Sequence, residues 1–157
     1  MASALGAAMV AVWPAAADAD AVTWVPLSRR RLAERGFDQA QILAESVGAA
    51  WSLSVVRHLE RMTDLPPQAR RSGPERRAAM AGAFRSVRPC PPRVLLIDDV
   101  LTTGATAAAC ARALKAAGAR HVAMLTATRS VSAPALARYT ARGLTPGSVV
   151  ARGTPSR

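Results

Sequence analysis

Residues 94–106 read V-L-L-I-D-D-V-L-T-T-G-A-T. The apolar run Val94 to Ile97 is short and uninterrupted, the pattern of a strand buried on both faces. Asp98 and Asp99 follow at its carboxyl end, where open α/β sheets bind ligands. Thr102, Thr103, Gly104 and Thr106 then make a small, hydroxyl-rich turn into an Ala-rich helix. Backbone N–H groups and the positive end of a helix can face an anion there. Carboxylates suited to sugar hydroxyls, set beside a phosphate cradle, describe a site for a phosphorylated sugar. Competing acidic and glycine motifs do not fit: the chain has neither a G-K-[ST] phosphate loop nor a calcium-loop spacing.

Working outward, the segments on either side of this stretch alternate between strand and helix patterns. Ala21 to Pro26 (A-V-T-W-V-P) reads as a strand closed by proline, and an Arg-rich loop, L-S-R-R-R-L-A-E-R-G, follows. A helix is expected over Phe37 to Trp51. Asp38 is its N-cap, Gln41 completes a capping box, and Phe37 staples onto Ile42. Leu43, Val47, Ala50 and Trp51 recur on one face and should cover the sheet.

Leu53 to Leu59 reads as a second strand, and residues 63–77, with Pro66, Pro67, Gly73 and Pro74, as a long mobile loop. A short strand over Ala83 to Val87 precedes the motif. After it come a helix from about Ala105 to Ala117, ended by Gly118, and a buried strand over His121 to Thr126. Strands alternating with helices imply a parallel sheet in an α/β domain. That domain is placed at 1–129, with a C-terminal extension at 130–157 that is partly disordered.

Composition narrows the class further. A chain of 157 residues suits one domain able to bury about 70% of the surface it exposes when unfolded. The formal charge is +11, and every basic residue except Lys115 is an arginine. Thirteen arginines lie between Arg29 and Arg93 against six acids, so the excess precedes the motif. Guanidinium groups grip phosphate bidentately, which suits a pyrophosphate substrate or a nucleic acid, and equally a merely solvated basic face.

Cys90 and Cys110 are too few for a disulfide framework and lack metal-ligand spacing with His58 or His121; cytoplasm is the expected compartment. The apolar stretch 2–12 is too short to span a bilayer. No Lys or Arg precedes Arg29, so that stretch reads as a helix packing on the sheet rather than as a secretion signal, and no membrane partner is expected.

The 94–106 pattern resembles, at every position, the 5-phosphoribosyl-1-pyrophosphate (PRPP) binding motif of the type I phosphoribosyltransferases. The chain also resembles the phosphoribosyltransferase domain of ComF-type competence proteins over residues 22–129. Shared are V-P-L-S at 25–28, R-G-F-D-Q-A at 35–40, and the spacing of Gln68, Arg76 and Phe84. That family usually carries an N-terminal Cys-rich zinc module, absent from these residues, and often has Asn where Ala79 and Asp38 stand.

The resemblance implies a three-layer fold with a mainly parallel central sheet flanked by helices. It implies that Asp98 and Asp99 take the ribose hydroxyls as the catalytic acids. Leu101, Thr102, Thr103, Gly104, Ala105 and Thr106 take the 5′-phosphate. Ser28, Arg29 and Arg35 take pyrophosphate, and Gln68, Arg71 and Arg76 sit on a closing loop. Mg²⁺ is the implied cofactor, held through the substrate. The implied reaction, part of nucleotide metabolism, passes the phosphoribosyl group to an unidentified nitrogen nucleophile. The alternatives are a non-catalytic module serving DNA uptake or regulation through single-stranded DNA or a competence-protein partner, and a relative keeping only the fold and phosphate cradle. The resemblance also admits a homodimer.

Overall fold

The computed structural model of this chain describes residues 19–62, 82–102 and 104–129. The helix expected over 2–12, the loop at 63–77 with Gln68, Arg71 and Arg76, position 79, Thr103 and the extension 130–157 lie outside these residues.

The central strand is β4, Arg93–Leu101, and its apolar run places it between two neighbours. β1, Ala21–Trp24, pairs with it in parallel on one side, Trp24 opposite Ile97. β5, His121–Arg129, pairs in parallel on the other, giving the order β1-β4-β5. Beyond β1, Val55 forms a parallel bridge to Val22.

Alternation along β4 divides the core into two layers. Leu95 and Ile97 join Val22 and Trp24 beneath α2, Gln39–Trp51, through Leu43, Ala44 and Val47. Val94 and Leu96 face the opposite side. There they meet Cys110 and Leu114 of α3, Ala105–Ala116, together with Leu59 and Phe84. Leu43, Leu96, Ile97 and Leu114 are at most 1% exposed, and each such side chain stabilises the fold by about 1.5–3 kcal/mol relative to exposure. The fold is therefore three-layered, with helices on both faces of a parallel sheet. Gly48 lets α2 approach the chain after it, since a Cβ there would collide with Val55 Cγ2 and lie 3.0 Å from the Leu53 carbonyl oxygen.

The observed elements depart from expectation in five places. The Arg-rich loop is a helix, α1, Arg29–Arg35. Ser28 caps it, Arg30 pairs with Glu34 one turn on, and the Gly36 N–H returns to the Leu32 carbonyl. The strand expected over Leu53 to Leu59 is two short pieces. Its first part bridges β1 through the Val22 and Val56 amides. The chain then crosses to the other layer, where β2, Leu59–Arg61, pairs antiparallel with β3, Phe84–Ser86, as a separate hairpin.

The third departure is at the motif, where β4 continues through Asp98 and Asp99. β5 extends to Arg129 and keeps pairing with it, Asp98 opposite Thr126 and Leu101 opposite Arg129. Fourth, Phe37, expected as the staple of α2, is 51% exposed. Fifth, the capping box is half formed: the Gln41 amide N–H donates to Asp38, but its side chain donates to Glu45. Among the described residues no helix is long and apolar enough to cross a membrane.

Candidate functional site

Parity along β4 carries Asp98 to the face shared by Val94 and Leu96. Asp98 is buried, 9% exposed, and Asp99 is half-buried. The Asp99 backbone N–H donates to Asp98 Oδ1 at 2.9 Å, and the Thr128 hydroxyl donates to the Asp99 carbonyl at 3.0 Å. Burial, then the adjacent Asp99 charge, push the Asp98 carboxyl up to about 7, with Asp38 adding to the same effect. Near neutral pH Asp98 is thus poised between acid and carboxylate.

Asp38 ties the neighbouring strand exit to α2. Its Oδ2 accepts the Leu27 N–H at 3.1 Å, and its Oδ1 accepts the N–H groups of Ala40 and Gln41 at 3.1 and 3.4 Å. Because the Val25 N–H donates to the Ile97 carbonyl, Ser28 and Arg29 lie at the same end of the sheet as Asp98. Ser28 is buried, and its hydroxyl accepts the Arg31 N–H at 3.2 Å as the cap of α1. Arg29 is exposed and reaches Glu60 Oε1 at 3.5 Å. Arg35 is exposed in the last turn of α1, about 9 Å along the axis from Arg29 at 1.5 Å per residue.

The turn after β4 leads directly into α3. Leu101 is the last strand residue, and Gly104 is the N-cap of α3 in the left-handed region, φ 75°. An L side chain is strained there, and glycine brings no capping side chain of its own. The amino end of α3, with Ala105 and Thr106 at its start, thus follows closely on the end of β4. On the face that Asp98 shares with Val94 and Leu96, Cys110 of α3 is buried. Its thiol is pushed far above the usual range by that burial and by the Asp98 charge, so it stays a protonated core residue.

One feature escaped the reading of the sequence. A cleft of about 240 Å³ is lined by Arg29, Glu60, Arg61, Met62 and Arg85, between α1 and the β2–β3 hairpin. Glu60 Oε2 accepts from Arg85 NH2 at 3.0 Å and Nε at 3.3 Å, while Arg61 lies 5.5 Å from the Phe84 ring centroid. The acid pair does not line this cleft. Among the described residues no group of three or more His, Cys, Asp or Glu side chains converges to hold a metal ion.

Comparison with known proteins follows the same lines. No family model matches the chain. Over 98 residues it is 35% identical to competence protein ComFC of Streptococcus pneumoniae (strain ATCC BAA-255 / R6), covering 62% of this chain and 43% of that protein. The match thus spans less than half of that relative. Among solved structures it is similar to the allosteric regulatory enzyme of purine biosynthesis, with a TM-score of 0.56 and 21% identity over 81% of this chain and 25% of that one. It is similar, too, to the glutamine PRPP amidotransferase of B. subtilis complexed with ADP and GMP, at a TM-score of 0.56 and 23% identity over 81% and 26% of the two chains. These structural likenesses are of fold. The phosphoribosyltransferase-like α/β architecture and the resemblance to ComF-type proteins, expected from the sequence, stand together.

Proposed function

We propose that this chain binds PRPP and transfers its phosphoribosyl group to a nitrogen nucleophile, releasing pyrophosphate. The observation that carries this reading is the run from β4 to α3: two neighbouring carboxylates in the carboxyl-terminal half of a central strand, followed a few residues on by a helix that opens on Gly104. Ribose hydroxyls can donate to Asp98 and Asp99, and the 5′-phosphate can accept the amides and threonine hydroxyls of the turn.

As the bond from C1 to pyrophosphate breaks, positive charge grows on the ribose, and carboxylates beside it favour that charge. Arg29 and Arg35 are exposed at the neighbouring strand exit, where guanidinium groups can meet the leaving anion. Carboxylate and substrate oxygens suit Mg²⁺, a hard cation that keeps several waters and is held mainly through substrate. When bound, Mg²⁺ would neutralise the developing pyrophosphate charge. The two free thiols fit a cytoplasmic protein.

Titration calorimetry with PRPP and Mg²⁺ tests the binding step. The reading expects micromolar affinity that Asp99→Asn weakens about tenfold or more, some 1.4 kcal/mol. Absent binding overturns it. Pyrophosphate release across a panel of nucleobases and amines then identifies the acceptor.

A second reading follows from α1. All seven of its residues are exposed, four of them arginines, with exposed Phe37 beyond its end. A guanidinium-rich face beside an aromatic ring suits single-stranded DNA, and the likeness to a competence protein points the same way. A salt-sensitive oligonucleotide complex without PRPP binding would favour that reading.

A further inference from the structure

We propose that Glu60 is a resident counter-anion of the arginine cleft, holding Arg29 until a diphosphate group takes that arginine over while Arg85 keeps Glu60. The inference rests on the reading of Arg29 as a pyrophosphate contact and adds how that contact is kept ready. Three arginines, Arg29, Arg61 and Arg85, line one cleft of about 240 Å³. Gathering like charges costs energy unless an anion stands among them. Glu60 is such an anion for Arg29 and Arg85: it is directly opposite Arg85 across the hairpin, and its own side chain is 22% exposed against 89% for Arg29 and 60% for Arg85. Hydrogen bonds from Arg85, then from Arg29, hold its carboxyl below the usual range, so it is charged at neutral pH.

The two grips differ in strength. Arg85 places two nitrogens on Oε2, at 3.0 and 3.3 Å, whereas Arg29 touches Oε1 at 3.5 Å, the long limit of a hydrogen bond. A solvent-exposed contact of that length is weak. A diphosphate brings more charge and more acceptor oxygens than one carboxylate, so it wins Arg29 while Arg85 keeps Glu60 aside. Glu60 therefore lowers the affinity of the cleft for stray single anions and leaves it open to polyanions.

The test is calorimetric titration of the whole chain with inorganic pyrophosphate and, separately, with PRPP and Mg²⁺. Glu60→Gln should bind pyrophosphate about tenfold more tightly, and the gain should vanish in the Arg29→Ala background, a coupling that a merely structural role would not produce. Urea melts of each variant verify that it is folded. Tighter pyrophosphate binding with no PRPP binding supports the counter-anion and sinks only the phosphoribosyl reading. No pyrophosphate binding, or an affinity that Glu60→Gln leaves unchanged or lowers, overturns the inference.

Discussion

At the amino end of β4, Arg93 donates its backbone N–H to Asp20 Oδ2 at 2.9 Å and its guanidinium to Asp20 Oδ1 at 2.6 and 3.1 Å. At the carboxyl end, Asp98 is buried against a second carboxylate, and among the described residues neither acid forms an ion pair. The same strand satisfies charge at one end and concentrates it at the other. Packing explains the first arrangement, because Asp20 and Arg93 clamp β1 to β4 and lower the Asp20 pKa. Nothing in packing requires the second. Crowded acids raise the free energy of the unliganded fold, and a ligand bringing hydroxyls and positive charge would relieve them.

The comparison breaks most visibly in its pH dependence. The folded pKa of Asp98 is about 7 against an ordinary 3.8. A raised folded pKa means the stability is fully present below about pH 4 and is lost as pH rises through about 7. Urea unfolding should therefore show the wild type weakening across that window. Asp98→Asn should flatten the loss and be the more stable protein at about pH 8. Wild-type stability that is flat from about pH 4 to 7 would contradict the carboxyl-end account.

Gly104→Ala is the next largest perturbation, costing about 1–2 kcal/mol. Space is open there, Leu101 Cδ1 lying 4.0 Å from an added Cβ, so the loss is one of backbone conformation and should appear in urea midpoints without a change of fold.

The amino end answers with the opposite sign. Asp20 has a depressed pKa, so its contribution exists above the ordinary carboxylate value and fades as pH falls through the folded one. Asp20→Asn should lower the melting temperature at neutral pH, and the difference from wild type should close in acid. A difference that persists in strong acid would show that charge is not what the clamp supplies. Smallest is Asp38→Asn, which keeps a capping side chain and removes one charge near Asp98. The Asp98 titration midpoint, followed by carboxyl NMR, should move slightly towards acid.

What the sequence revealed and what it hid have physical causes. The β4 core and the acid pair were legible because four apolar residues followed by two acids leave few alternatives. The α2 helix was legible because Asp38 and the Leu43–Val47 spacing agree. Helix α1 was not, since arginines at four of its seven positions form no apolar stripe and it is held by a serine cap and one exposed ion pair. The break between Val55 and Leu59 was hidden because both layers bury apolar side chains, so one run served two partners. The arginine cleft joins residues 31 and 25 positions apart in sequence, and no local pattern records such a pairing. That Asp38 would add to the crowding at Asp98 depended on where α2 begins.

Proton release on binding examines the acid pair most directly. Calorimetry of PRPP with Mg²⁺ in buffers of different ionisation enthalpy, at about pH 7, should register release of about half a proton per site as Asp98 becomes a carboxylate receiving ribose hydroxyls. Asp98→Asn should release none. Binding that releases no proton from the wild type, or that is indifferent to Asp98→Asn, would contradict the assignment of ribose to this end of the sheet.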